Sequence, residues 1–377
     1  MSRKLATITK IKETSPIEGA DFIEAVTMTT NGWVCVAKKG DFTPGDFGVY
    51  FEIDSFLPKE ERYNFLDGRS NKTMNEVEGY RLKTVKLRKQ ISQGMVLPLS
   101  AFPEIAEPQE GNDVTELLKI ELYEMPVKMS THSGQPAGKF PSFVRKTDQE
   151  RIQSLDKTQI KALDQNTYEI TEKLDGTSAT YYYKDGHFGV CSRNLELKTT
   201  FNKNKNFFQC CLKWFGKKIF GSWLKKQIDF PKSIYEEIAT LHNLDKTLPE
   251  FCKETGHHYA VQGEIVGTNI SGNRLKLNNV DFYVFDVFDI DEQTYIDAPE
   301  RYAIAERLKL LHVPIIETEY LLRFEETPIE QLIKSADGKS GLSDKKREGV
   351  VYKQRSGEPW AASFKIVSNE YLLEHGL

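Results

Sequence analysis

Residues 1–105 carry five short runs of β-branched and aromatic residues, and these constrain the first part of the chain more than any other feature. The runs are Ala6–Ile11, Phe22–Met28, Trp33–Ala37, Val49–Ile53 and Leu82–Leu87. Asn31-Gly32 stands between the second and third, a strong signal for a two-residue hairpin turn. Pro44-Gly45-Asp46 punctuates the next connection. Short strands at this spacing suit a small antiparallel barrel. The OB-fold is one such barrel and binds nucleic acid. A generic small β-domain with a solvated basic strand satisfies the same pattern. The last run is basic, with Lys83, Lys86, Arg88 and Lys89 in or beside it.

Downstream the composition changes. Met129–Pro141, MSTHSGQPAGKFP, has linker composition. From about 140 strands alternate with helical segments. Tyr168–Lys173, Ala179–Tyr183, Phe188–Cys191, Tyr259–Val266, Phe282–Phe288 and Gly349–Lys353 read as strands. Lys184-Asp185-Gly186-His187 reads as a hairpin turn. Ile234–Leu241 and Glu300–Leu311 read as helices, with Pro299 in the first turn of the latter. The expected division is a β-domain over 1–105, a linker over 106–139 and an α+β domain over 140–377. A length of 377 residues suits two domains.

The formal charge of −4 excludes a histone-like polycation but not a nucleic-acid partner, since local patches decide such binding. Cys35, Cys191, Cys210, Cys211 and Cys252 are too few and scattered for a disulfide framework, and no Cys-x-x-Cys pair offers the usual zinc spacing. No apolar run is long enough for a signal peptide or a membrane span. These features lead us to expect a soluble, intracellular protein without a membrane partner.

Four elements carry possible chemistry. The first is Glu172-Lys173-Leu174-Asp175-Gly176, which alone also reads as a strand-ending turn with a solvated lysine. Gly263-Glu264-Ile265-Val266-Gly267 places a carboxylate among apolar neighbours, as an edge-strand glutamate facing water would also be placed. In Asp281-Phe282-Tyr283-Val284-Phe285-Asp286, Tyr283 and Phe285 share one face and Phe282 and Val284 the other. One face meets a core and the other a ligand ring, or both faces are buried. Arg347-Glu348-Gly349-Val350-Val351-Tyr352-Lys353, followed by Ser363-Phe364-Lys365-Ile366, adds a carboxylate and two lysines. One nucleophile candidate, several carboxylates and further cations suit phosphoryl or nucleotidyl transfer. Carboxylates hold a divalent metal directly or through water, and cations offset phosphate charge.

The ordered set EKLDGTSA, CSRN, GEIVG, DFYVFD, REGVVYK and SFKIVSN resembles the covalent nucleotidyltransferase superfamily of polynucleotide ligases and RNA capping enzymes. It is most similar to ATP-dependent RNA ligases of the nick-sealing type. The lead-in Phe140–Gln153 and the LRKQISQG segment resemble the branch with an N-terminal OB domain. The resemblance implies an OB-type barrel ahead of a nucleotidyltransferase domain built on antiparallel sheets with flanking helices. It implies Lys173 as the nucleophile that becomes lysyl-AMP, with Phe285 stacked on adenine and Glu172 at the adenine edge. Arg151, Arg193 and Lys365 would contact phosphate. Glu264 and Glu348 would hold Mg or Mn through water, with Asp175 as a third metal residue. The partner would be RNA in a nicked duplex and the protein a monomer. One departure stands out: Val367 occupies the place of a second lysine after Lys365, so either Lys353 or another cation covers that role or this branch dispenses with it.

Between CSRN and GEIVG, the segment 198–232 holds nine lysines and eight aromatics against one acid, Asp229. Amphipathic helices with solvated lysines account for it, as does a phosphate track with stacked bases. A capping-type guanylyltransferase and a DNA ligase share the lysine chemistry, and a non-catalytic RNA-binding protein shares the scaffold. Gly338-Lys339-Ser340 is no P-loop, because Ile333 stands where the upstream glycine is required.

Overall fold

A computed structural model describes residues 3–29, 32–123, 134–147, 149–155, 157–201, 232–355 and 363–376. Residues 124–133 of the expected linker and residues 202–231 of the lysine-rich segment lie outside the described residues, with Lys217, Lys218, Lys225 and Lys226 among them.

Four of the N-terminal runs and the strand Met95–Pro98 form one curled antiparallel sheet in the spatial order Met95–Pro98, Phe47–Phe51, Ala6–Pro16, Ile23–Met28, Val34–Lys38, whereas the fifth expected run lies outside it, with Thr84–Leu87 paired to Gln90–Gln93 in a separate hairpin. Ala6 faces Phe51 and Ile8 faces Val49, and all four side chains point into one core with Leu57, Tyr63 and Tyr80. A register shift between Ile11 and Glu13 bends the long first strand. Beyond the bend Ile11, Val26, Met28 and Cys35 fill a second core. The expected OB-type barrel is therefore present. Val114, Leu118 and Ile120 add to its first core, and Glu121–Leu122 pairs with Ser55–Phe56. Pro136–Lys139 pairs with Leu195–Leu197. The stretch 106–139 thus carries strand pairing at its middle, 121–122, and at its C-terminal end, 136–139.

The remainder is built on two mostly antiparallel sheets. The larger runs in the order 136–139, 195–197, 187–192, 177–184, 259–266, 281–289, 294–295. The smaller runs in the order 150–151, 364–367, 349–354, 167–173, 315–321. Helices Ile234–Leu241, Leu244–Thr255 and Ala298–Arg307 flank the larger sheet, burying Ile238, Leu244, Leu248 and Ile304 against Tyr181, Val261, Phe282 and Val284. Ser233 caps the first helix by accepting from the Glu236 amide, and Asp297 caps the third by accepting from the Glu300 amide. The third helix stops at Arg307, short of the expected Leu311. Lys309 takes a left-handed conformation there, and Leu311–His312 joins the larger sheet beside Tyr283–Val284.

The barrel meets this domain through polar contacts. Arg151 reaches Asp54 at 3.3 Å, and the Ser154 hydroxyl donates to Glu52 at 3.0 Å. The C-terminal helix Asn369–His375 lies against the barrel strand Thr84–Leu87.

Candidate active site

A cavity of about 350 Å³ opens between the two sheets. Lys173 ends the strand Thr167–Lys173 and pairs across the small sheet with Gly349, so Glu348 is its neighbour. The Lys173 Nζ lies 2.5 Å from Glu348 Oε2. From Lys173 the chain turns through Leu174-Asp175-Gly176 into Thr177–Lys184 of the other sheet, where Ser178 pairs with Glu264. A Cβ on Gly176 would stand 2.2 Å from the Ile265 carbonyl oxygen. Only glycine lets this loop cross so close to the strand, and that crossing brings Lys173 and Glu264 to one cavity. Burial, with Glu348 and Asp175 nearby, pushes the Glu264 carboxyl up to about 8 despite the opposing pull of Lys173.

The aromatic strand Asp281–Asp289 provides the wall. Phe282 and Val284 are fully buried in the main core, while Tyr283 and Phe285 pack on the opposite side. Gln262 pairs with Asp286 and Gly263 with Val284, so Phe285 is the extra residue of a β-bulge. The bulge reverses the phase: Val287, not Asp286, returns to the main core. Phe285 lines the cavity, and Asp286 is left facing Lys353.

Lys353 is buried and donates to the Phe285 carbonyl and, at 2.6 Å, to Asp286 Oδ1. Arg301, itself buried, pairs with Glu169 and lies 4.0 Å from Asp286. These two cations and two carboxylates compensate one another, which a buried set requires. Lys353 thereby holds the bulge that aims Phe285. Glu172 is also buried. Its Oε2 accepts from the Gly341 amide at 2.7 Å, while its Oε1 has no hydrogen-bond partner among the described residues. Burial raises its pKa. An aromatic face beside an unpaired buried acceptor suits a purine with an exocyclic amine.

Arg193 and Lys365 line the same cavity. The cavity therefore brings together Glu172, Lys173, Arg193, Glu264, Phe285, Lys353 and Lys365, with Glu348 reached through Lys173. Two expected site residues are turned to other partners. Arg151 does not line the cavity and faces Asp54 of the barrel. Asp175 accepts from Arg274 and, at 2.6 Å, from the Tyr371 hydroxyl, so its carboxylate fixes the lysine loop to the C-terminal helix. Sequence reasoning gave no role to Lys146, whose Nζ donates to Asn194 at 3.0 Å and which lines the cavity. It also missed Arg274 and Tyr371, which no local pattern marks.

An OB barrel ahead of a two-sheet domain, with a lysine, carboxylates and cations around one cavity, defines a nucleotidyltransferase-type ligase architecture. The chain belongs to the RNA ligase family, which matches residues 166–367, and an OB-fold domain family matches residues 5–99. Solved structures of a Naegleria gruberi RNA ligase are similar over the whole chain. The one with PPi is 39% identical at a TM-score of 0.79, covering 100% of this chain and 99% of that one. Point mutants of the same protein, one with ATP and Mn and one with AMP and Mn, are each 38% identical at a TM-score of 0.80, covering 99% of both chains. No curated protein matches the chain.

Proposed function

We propose that the chain is an ATP-dependent RNA ligase that joins 3′-hydroxyl and 5′-phosphate ends through a lysyl-AMP intermediate on Lys173. The observation that carries this reading is the single cavity holding Lys173, Glu264, Phe285, Arg193 and Lys365. The similar ligase is solved with ATP, AMP, Mn and PPi, the substrates, metal and products expected of such a first step.

The Lys173 nitrogen, once neutral, attacks the ATP α-phosphorus. A P–N bond forms and the bond to pyrophosphate breaks. A 5′-phosphate oxygen of RNA then takes the AMP and frees the lysine. Finally the 3′-hydroxyl attacks the activated phosphorus and AMP leaves. Lys365 and Arg193 offset phosphate charge, Phe285 stacks on adenine and Glu172 accepts from its amine. A carboxyl whose pKa is raised by burial and like charges, as at Glu264, fits a donor set that a dication completes. Glu264 and Glu348 would hold Mg or Mn, directly or through water, with Asp175 orienting the loop; the metal would neutralise phosphate charge and favour the neutral amine.

Phe285→Ala should raise the KM for ATP in protein–AMP formation by about 5–100-fold, the range for loss of one base stack, whereas Phe285→Tyr should retain it. A rise common to both variants would remove stacking from the account.

We further propose that the substrate is a nick in a duplex with an RNA 3′-hydroxyl strand. The chemistry belongs to 140–377, RNA placement to the barrel of 1–105, and 106–139 joins them. The ligase would act as a monomer. No described helix is long and apolar enough to cross a membrane. Cys35, Cys191 and Cys252 are free, which fits an intracellular setting. Sealing a panel of nicked duplexes tests the substrate. All-RNA nicks and nicks with an RNA 3′-end should be sealed, and all-DNA nicks should not. Sealing of all-DNA nicks alone would favour a DNA ligase, label transfer from GTP a capping-type guanylyltransferase, and no label transfer a non-catalytic RNA-binding protein.

A further inference from the structure

The barrel carries a hairpin whose turn has the wrong residues for its backbone. Strands Thr84–Leu87 and Gln90–Gln93 pair in register, with Leu87 opposite Gln90, so Arg88 and Lys89 alone form the turn. Their φ angles are 47° and 72°. A two-residue turn with both residues left-handed strongly prefers Asn and Gly, because a side chain there crowds its own backbone. Here both positions hold long cations. Both are exposed, and neither has a carboxylate partner among the described residues. Strained positions of this kind persist where the side chains serve a purpose beyond the turn.

The position of the hairpin suggests that purpose. Lys83 at the foot of its first strand donates to the Gly376 carbonyl at 2.7 Å, and Gln93, opposite Thr84 at the foot of the second, donates to Asn369. Both contacts hold it against the helix Asn369–His375. Tyr371 of that helix bonds Asp175, two residues from Lys173. The base of the hairpin therefore stands one helix away from the lysine loop, and the tip projects from that base at the far end of the paired strands. Exposed Lys86 adds positive charge along the hairpin, where it faces Glu370 of the helix, and exposed Lys72 lies near Lys83 at the base. Unpaired cations on a rigid two-residue tip match the regular phosphates of a nucleic-acid backbone.

We propose that the Arg88–Lys89 tip is a phosphate clamp by which the barrel grips the RNA duplex beside the end being joined. This rests on the ligase reading above. The test is Arg88→Asn with Lys89→Gly, which gives the turn its preferred residues and removes both charges. The full-length variant should melt at a higher temperature than wild type. It should bind nicked RNA about 10-fold more weakly, and its log Kd against log salt should be shallower by about 1 to 2. Its protein–AMP formation from ATP alone should be unchanged. Arg88→Gln with Lys89→Gln, which keeps the strained backbone, should show the same loss of affinity without the gain in stability. Unchanged affinity and salt slope in variants that still form protein–AMP would overturn the clamp alone. Wild-type protein that forms no adduct at all would instead overturn the ligase reading on which the clamp rests.

Discussion

Lys173→Ala is expected to abolish the protein–AMP adduct formed from radiolabelled ATP, to below detection, and with it sealing of 5′-phosphate nicks. The reason is chemical. Lys173 would supply the amine in the cavity beside Glu264 and Phe285, whereas the buried Lys353 is committed to Asp286 and the Phe285 carbonyl. Lys173→Arg should fail as completely, because a guanidinium stays protonated and offers no lone pair for attack on phosphorus. A nick carrying a pre-adenylated 5′-end bypasses the lost step, so both variants should still seal it. Failure on that substrate would show that the substitution damaged the site as a whole.

Glu264→Gln is expected to lower protein–AMP formation by about 10²–10³-fold, the range seen when one well-placed electrostatic group is removed. It should also change stability in a pH-dependent way. In the metal-free fold the Glu264 carboxyl is raised from the usual 4.5 to about 8. The folded protein therefore holds a proton that the unfolded chain releases. That stabilisation is full below about 4.5 and is lost as pH rises through about 8. Glutamine cannot ionise, so the variant should gain on wild type across this window. Above it the variant should be the more stable by on the order of 1–3 kcal/mol. Added Mg or Mn with ATP should reverse the order by stabilising wild type more. Denaturant melts at pH 5 and pH 9, with and without metal, measure both effects. A difference independent of pH would remove Glu264 from the charged centre of the site.

Much of the fold was legible because alternation and turn residues act locally. The strands Tyr259–Val266 and Gly349–Lys353 are found within a residue of their expected ends, and the helix Ile234–Leu241 at its expected ends. The aromatic strand shows both the reach and the limit of such reasoning. Period two correctly separated Phe282 and Val284 from Tyr283 and Phe285, but it could not reveal the bulge at Phe285. That bulge depends on the neighbouring strand and on Lys353, some seventy residues away. The same limit applies to the charged residues. Nothing near Asp175 in sequence shows that Arg274 and Tyr371 hold its carboxylate. Nothing near Arg151 shows that the barrel's Asp54 faces it. Lys173, Glu264 and Glu348 come together for a global reason. A glycine-tight crossing at Gly176 joins two sheets whose residues are far apart along the chain.

The central claim is that Lys173 carries AMP between ATP and RNA. Intact-protein and peptide mass spectrometry after incubation with ATP and Mg or Mn test it most directly. The predicted result is a mass increase of one AMP on the peptide containing Lys173, discharged when nicked duplex RNA with a 5′-phosphate is added and replaced by sealed product. An adduct on another residue, or one that persists through the RNA chase while nicks are sealed, would contradict it.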